Sequence, residues 1–164
     1  MAALGAAADV DARVYFTGGA TAVLHGWRSS TIDVDMKIVP DRDRMYRALP
    51  ELKERLQINI ELASPDDFIP VRSGWEDRSP FIARESLVSF HHFDLDAQAL
   101  SKIERGHAQD LADVEAMLVR ELVTRNGLFA YFSAIEPALY RYPAVDPASF
   151  RAAVEAVTGS RRQA

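Results

Sequence analysis

The chain has 164 residues and a net charge of −5, and 48% of its residues are hydrophobic. These values predict one globular domain with a real core, and the acidic balance argues against a general nucleic-acid coat. With no cysteine, disulfides and thiolate chemistry are excluded, and the four scattered histidines do not suggest zinc. No apolar run has the length of a membrane span and the alanine-rich start does not resemble a signal peptide, so we expect a cytoplasmic protein without a membrane partner.

Short strands and helices alternate through the first half of the chain. Strands are predicted over Arg13–Thr17, Ile32–Val39 and Gln57–Leu62. The first strand ends at Gly18-Gly19, and the short helix that follows is expected to end near Gly26. The next helix is expected to begin at an Asp41 cap and to bend or split at Pro50.

The second half begins with a predicted hairpin and continues as helices. The hairpin strands are expected over Phe81–Arg84 and Leu87–Phe93, with a tight turn between them. Four helical segments follow, and the last has Asp146 as its cap, Pro147 at its first position and Gly159 just after its end.

The order of these elements predicts the fold class. Strands come early and helices late, which does not fit a regular doubly wound parallel sheet. We therefore predict an α+β fold, in which a small mixed β-sheet has flanking helices and a helical C-terminal half. The expected organisation is an α/β core over residues 1–94 and a helical region over residues 95–164 that packs on this core as one compact unit.

Two aspartates in the second strand need an explanation, because carboxylates are costly to bury. Asp33 and Asp35 are two residues apart, so a strand places them on one face, about 7 Å from each other. At that separation the two groups cannot share a proton, but they can converge on a divalent cation. Magnesium (or manganese) is the natural choice for oxygen ligands. The alternative is an exposed strand end that binds nothing.

The glycine pair lies at the junction of the first strand and the following helix. Because Gly18 and Gly19 have no side chains, a phosphate could approach the backbone N–H groups at this helix start. A phosphate cradle beside a metal-binding carboxylate pair is typical of metal-assisted phosphoryl or nucleotidyl transfer. A turn that only serves the backbone is the alternative explanation of the two glycines.

The stretch GGATAVLHGWRSSTIDVD combines the two motifs: Gly-Gly, thirteen intervening residues and Asp-x-Asp. It closely resembles the signature of the DNA-polymerase-beta-like nucleotidyltransferase superfamily. Within that superfamily it is most similar to the minimal nucleotidyltransferases, the AbiEii-type toxins of abortive-infection and toxin–antitoxin systems, and a poorly characterised bacterial nucleotidyltransferase-like branch. The resemblance covers about residues 13–122.

This resemblance implies roles for the matching residues. It implies phosphate binding by Gly18 and Gly19, and magnesium binding by Asp33 and Asp35. Glu61 would be the third metal ligand and would help to deprotonate the attacking hydroxyl, although a solvent-facing Glu61 is the alternative and Asn59 occupies the same strand face. Arg28 and Thr31 match an R-x-x-T arrangement, in which the arginine would pair with phosphate oxygens. A surface turn arginine is the alternative there.

A later helical element also matches these branches. Lys102 and Arg105 share one helix face, and Asp110 and Asp113 share a face of the next helix. In the AbiEii-type toxins the matching lysine and aspartate lie at the active site, so the resemblance implies that these residues bind the nucleotide and that Lys102 takes part in catalysis. A salt-bridge network among the four is the alternative, and it could still direct Lys102 at the triphosphate.

The reaction implied by the resemblance is attack of an acceptor hydroxyl on the α-phosphate of an NTP, with release of pyrophosphate. We expect a magnesium-dependent nucleotidyltransferase with NTP as its substrate. Its acceptor would be a tRNA or other RNA, a protein hydroxyl or a small molecule. Such an enzyme would belong to a toxin–antitoxin or phage-defence system, with a cognate toxin or antitoxin protein as partner. The alternative is a catalytically silent nucleotidyltransferase-like module that binds a partner protein or a nucleotide.

Overall fold

The computed structural model describes residues 1–159 and contains five strands and seven helices within that range. The strands are Ala12–Thr17 (β1), Asp33–Val39 (β2), Asn59–Glu61 (β3), Phe81–Glu85 (β4) and Val88–His92 (β5). The helices are Ala2–Ala7 (α1), Gly18–Leu24 (α2), Asp43–Leu56 (α3), Leu95–Arg105 (α4), Ala108–Val119 (α5), Arg125–Ile135 (α6) and Pro147–Thr158 (α7). Short 3₁₀ turns cover Pro65–Asp67 and Glu136–Arg141. The predicted α+β class is confirmed.

The strands form one mixed sheet in the order β3-β2-β1-β5-β4. The central strand β1 runs antiparallel to β2 and parallel to β5. On one side β3 extends the sheet parallel to β2, and on the other β4 and β5 form the predicted hairpin. The predicted acidic strand β2 therefore lies between β1 and β3, and its two edges are both hydrogen-bonded.

Alternation along the strands gives the sheet one apolar and one polar face. Val14, Phe16, Met36 and Phe90 are all buried on the apolar face, in the same core as Met45, Leu49 and Leu52 of α3. The residues between them on β2 point the other way because successive strand side chains alternate. Asp33 and Asp35 therefore lie on the polar face, as the sequence predicts.

Contacts divide the chain into two compact units. The first consists of Met1–Ser64 and Glu76–Phe93, and it contains the whole sheet with α1, α2 and α3. The second consists of Pro65–Trp75 and the chain from Asp94 onward, and it contains α4 to α7. No helix within residues 1–159 is long and apolar enough to cross a membrane.

The second unit is a helical bundle with well-defined helix starts. Asp94 caps α4 by accepting hydrogen bonds from Asp96 N and Ala97 N, and its other oxygen accepts one from the Tyr131 hydroxyl. Asp146 caps α7, whose end at Gly159 has a left-handed φ of 70°, as the sequence predicts. Each of these aspartates satisfies backbone donors that a helix start would otherwise leave without partners.

Several local predictions need correction. Asp41 does not cap α3, because that helix begins at Asp43 and the Asp41 carboxylate instead accepts a hydrogen bond from the Tyr46 hydroxyl. Pro50 does not split α3, which is continuous from Asp43 to Leu56. The third strand is shorter than the alternation suggests and covers only Asn59–Glu61. The alanine-rich start, for which no element is predicted, forms α1.

Candidate functional site

The glycine turn and the acidic strand lie against each other in the first unit. Gly18 has a left-handed φ of 59°, and a β-carbon added there would lie 2.7 Å from Asp35 Oδ2. A β-carbon added at Gly19 would lie 2.5 Å from Thr31 Oγ1 and 3.3 Å from the Asp33 carbonyl oxygen. Glycine is therefore needed at both positions so that β2 and the turn before it can lie close to the start of α2. Only Gly18 also has a left-handed backbone conformation, which glycine adopts more easily than other residues.

The turn before β2 is held by Thr31. Its hydroxyl donates to the Asp33 carbonyl oxygen at 3.0 Å and accepts from the Asp33 backbone N–H at 3.1 Å. This local pair of hydrogen bonds fixes the direction in which β2 begins. Arg28 lies in the same α2–β2 turn, partly buried, with its backbone N–H bonded to the Ala22 carbonyl oxygen. Thr31 thus positions the acidic strand, a role that its sequence pattern alone does not reveal.

Four polar side chains form an array on the polar face of β2 and β3. In the parallel register Asp33 is opposite Asn59, and Asp35 is opposite Glu61. Because paired residues of neighbouring strands point to the same face, Glu61 shares the face of the two aspartates. We call Asp33, Asp35, Asn59 and Glu61 the acidic array.

Hydrogen bonds within the acidic array run through Asn59. Its Nδ2 donates to Asp33 Oδ1 at 3.3 Å and to Glu61 Oε1 at 3.2 Å. Within residues 1–159, no group of three or more His, Cys, Asp or Glu side chains is arranged so that it could hold a metal ion. The three predicted ligands thus share one face without forming a metal-binding group, and one oxygen of Glu61 is bonded to the Asn59 amide.

The chemistry of this face still fits magnesium. Magnesium in nucleotide-dependent enzymes is usually held by one or two carboxylates together with substrate phosphates, rather than by a complete cage of protein ligands. Asp33 and Asp35 supply two such carboxylates, and Asp35 lies directly beside the glycine turn, with Oδ2 2.7 Å from the place that a β-carbon of residue 18 would take. Lys37 is two residues beyond Asp35 on β2 and therefore lies on the same face. The alternation of β2 is the signal in the sequence that identifies this cation, which is not among the predicted site residues.

Lys102, Arg105, Asp110 and Asp113 come together in the second unit as an ion-pair cluster, in which Arg105 is exposed and the other three are buried. The Lys102 ammonium lies 2.7 Å from Asp113 Oδ2 and 3.4 Å from Asp110 Oδ1, and its side chain is only 5% exposed. Arg105 adds a bond of 2.7 Å to Asp110. These contacts join α4 to α5, so the salt-bridge network that the sequence analysis gives as the alternative is present.

A histidine pair lies against α2 on the apolar face of the sheet. The His92 ring stacks on His25 with centroids 4.3 Å apart, and its Nδ1 is 3.2 Å from Thr21 Oγ1. The Thr21 hydroxyl donates to the Phe16 carbonyl oxygen, so it accepts from His92. Burial, with a smaller contribution from His25, lowers the pKa of His92 to about 4. This neutral histidine links β5 to the helix that carries the glycine pair.

A mixed sheet that combines a glycine turn with an acidic strand defines an α+β domain with one candidate site on its polar face. The chain belongs to the family described as nucleotidyltransferase of unknown function (DUF6036), whose model matches residues 2–143. No curated protein and no solved structure gives a significant match. The family confirms the nucleotidyltransferase-like assignment made from the sequence, while the AbiEii-type branch and the roles of single residues stay predictions.

Proposed function

We propose that this chain is a magnesium-dependent nucleotidyltransferase that moves a nucleoside monophosphate from an NTP to a hydroxyl of RNA or protein. The observation that most directly supports this proposal is the close approach of the Asp35 carboxylate to the glycine turn, where a β-carbon at Gly18 would lie 2.7 Å from Asp35 Oδ2. It brings a group able to hold a cation beside the turn that the resemblance assigns to the phosphates. Membership of a nucleotidyltransferase family supports the same class of reaction.

Residues of the first unit would bind the metal, bind the phosphates and accept a proton. Asp33 and Asp35 would hold magnesium, which supplies stabilisation of negative charge on the attacking and leaving oxygens when bound. The backbone of Gly18 and Gly19 would contact the phosphates, with Arg28 as a further phosphate partner. Glu61, opposite Asp35 in register, would accept the proton of the attacking hydroxyl.

The ion-pair cluster would have a structural role within the second unit. The resemblance to AbiEii-type toxins gives Lys102 a role at the triphosphate, but its ammonium already has two carboxylate partners. We therefore propose that Lys102 keeps α4 and α5 together, and that any contact with nucleotide depends on this arrangement. The same resemblance motivates our proposal that the enzyme acts in the cytoplasm as part of a toxin–antitoxin or phage-defence system, with tRNA or another RNA as a candidate acceptor.

A direct test uses the purified chain with each labelled NTP, magnesium, and either total RNA or cell lysate. We expect label to appear in one acceptor pool, and we expect no transfer from the Asp33→Ala/Asp35→Ala double variant. That variant should stay folded, since removal of two neighbouring negative charges also removes their repulsion. Transfer that continues in the double variant would contradict the proposal.

A second variant separates binding from chemistry. Glu61→Gln keeps the shape of the side chain but cannot accept the proton, so NTP binding should survive while transfer falls by roughly 10²–10⁴-fold. Asn59→Ala should reduce transfer much less, because an amide cannot serve as a base at neutral pH. Unchanged transfer by Glu61→Gln would assign the proton acceptor to another carboxylate.

The second candidate is a catalytically silent module that binds nucleotide or a partner protein. The hydrogen bond between Asn59 and Glu61 favours it, because one oxygen of the third carboxylate is already bonded to a neutral amide. NTP binding without transfer to RNA, protein or small-molecule pools is the result expected for this module. Transfer by the wild type to any of these pools would exclude this module.

A further inference from the structure

Asn59 occupies the only neutral corner of the acidic array. Its amide nitrogen is within hydrogen-bond distance of a carboxylate oxygen on β2 and of another on its own strand, at 3.3 Å from Asp33 and 3.2 Å from Glu61. Ionised carboxylates only accept hydrogen bonds and the amide nitrogen only donates, so both contacts select the same orientation of the amide. One neutral group therefore bridges two of the three anions.

These two hydrogen bonds compete with a divalent cation for the same oxygens. Magnesium and manganese bind through carboxylate lone pairs, and the amide occupies one acceptor direction on Asp33 and one on Glu61. An aspartate at position 59 would instead place four carboxylates on one face of β2 and β3, and a bound divalent cation would relieve their mutual repulsion. The neutral amide avoids that fourth charge and engages one oxygen of Glu61.

We propose that Asn59 is a positioning residue that prevents the acidic array from holding a divalent cation by itself, so that the cation binds together with the nucleotide. This inference rests on the proposed function, since it assumes that the array meets a metal–nucleotide complex. It agrees with the finding that no three carboxylates within residues 1–159 are arranged for a metal. The NTP phosphates would supply the remaining oxygen ligands.

The test is calorimetric titration of the full chain with Mn²⁺ alone, without nucleotide. Asn59→Asp should bind Mn²⁺ at least about tenfold more tightly than the wild type, since changes next to metal ligands commonly alter affinity by that factor. Asn59→Ala frees the two carboxylates without adding a charge, so its gain should be smaller. Ser86→Asp is the matched control: it adds the same charge in the exposed β4–β5 turn and should leave Mn²⁺ binding unchanged.

Two results would overturn the proposal: a wild type that binds Mn²⁺ alone as tightly as Asn59→Asp, or a folded Asn59→Asp that gains no affinity. Because the added charge could destabilise the variant, its melting temperature is also measured with and without Mn²⁺. If Mn²⁺ raises the melting temperature of Asn59→Asp but not that of the wild type, the proposal is supported. Equal changes in the melting temperatures of the two proteins would overturn it. NTP binding in the presence of Mn²⁺ is measured separately. A wild type that does not bind NTP would contradict the proposed function. The comparison of the variants with Mn²⁺ alone would still test the role of Asn59.

Discussion

Gly18 and Gly26 both have left-handed backbone angles, and only one of them contacts a candidate functional side chain. A β-carbon at Gly18 would meet Asp35 Oδ2, whereas one at Gly26, with φ of 80°, would meet nothing within 4 Å. The Asp35 carboxylate is the far end of a side chain and can move aside. Substitution at Gly18 therefore threatens the position of that carboxylate more than it threatens the fold.

We predict that Gly18→Ala and Gly26→Ala lose similar stability but differ in function. Each should lower the free energy of unfolding by about 1–2 kcal/mol, the usual cost of a left-handed conformation for an L-residue. Only Gly18→Ala should lose binding of the magnesium–NTP complex, because its methyl group displaces Asp35. Urea unfolding and calorimetry measure the two quantities, and normal NTP binding by Gly18→Ala would show that this glycine serves the turn alone.

His92 makes stability depend on pH in a defined range. The pKa of its ring is about 4 in the folded chain and 6.5 for an ordinary histidine, because the buried ring resists charging. Between these two values the unfolded chain binds more protons than the folded one, so stability falls as the pH drops from 6.5 towards 4. Above pH 6.5 the ring is neutral in both states and contributes no pH dependence.

We predict that His92→Gln has a flatter stability profile than the wild type. Glutamine can still donate towards the Thr21 hydroxyl but does not titrate. The wild type should lose up to about 3 kcal/mol more than the variant between pH 6.5 and pH 4. Urea unfolding at several pH values measures the difference, and identical slopes for both proteins would mean that His92 is not the titrating group.

The junction of α4 and α5 depends on a buried cation. Asp113 is 1% exposed and Asp110 is 7% exposed, so both carboxylates rely on Lys102 and its neighbours for compensation. Arg105 still reaches Asp110 when Lys102 is removed, whereas Asp113 loses its bond of 2.7 Å to the Lys102 ammonium. Removal of one partner from such a pair costs more than the pair itself contributes.

Lys102→Met should lower the free energy of unfolding by about 3–5 kcal/mol, because it leaves a buried carboxylate without its cation. The double variant Lys102→Met/Asp113→Asn should recover much of that loss, since the uncompensated charge is gone. Transfer activity is then compared at a temperature where both proteins are folded. A stable Lys102→Met that loses only transfer would indicate direct contact with nucleotide instead.

The elements that sequence predicts well are those with local causes. Helix α7 is marked by its cap, its first-position proline and its final glycine, which all lie within or next to the helix. The β4–β5 hairpin likewise depends on a single turn. The residues that determine these elements are therefore close together in the sequence. The Asp41 prediction failed because a tertiary contact with Tyr46 competes for the same carboxylate. Similarly, α1 carries no cap or amphipathic signal beyond its alanines and forms against neighbouring elements.

The candidate site was predictable only in part. Alternation in β2 is enough to place Asp33 and Asp35 on one face, and Gly18-Gly19 marks the turn. The pairing of Asp35 with Glu61 depends on the register between two strands separated by a long helix, which no local pattern specifies. The bridging position of Asn59 depends on that register as well, so only the structure reveals it.

At the scale of the whole molecule, the chain passes from one unit to the other at three places. It leaves the first unit after Ser64, returns at Glu76 and leaves again after Phe93. The inserted segment Pro65–Trp75 is fixed within the second unit, where Ile69 is fully buried. Two tyrosines hold its backbone: the Tyr131 hydroxyl accepts from Arg72 N at 3.1 Å, and the Tyr142 hydroxyl donates to the Asp66 carbonyl oxygen at 2.9 Å.

This arrangement predicts how a truncated chain behaves. A fragment of residues 1–94 contains every strand but leaves Pro65–Trp75 without the helices on which it packs, so Ile69 and its neighbours become exposed to solvent. We expect that fragment to aggregate and to be cut by protease within this segment. The control is the same fragment with Pro65–Trp75 replaced by a glycine–serine linker of equal length, which should stay monomeric and keep its strand signal in circular dichroism. If both fragments are equally monomeric and protease-resistant, Pro65–Trp75 does not depend on the second unit. A single boundary near residue 94 would then describe the folding units better than a division that assigns Pro65–Trp75 to the second unit.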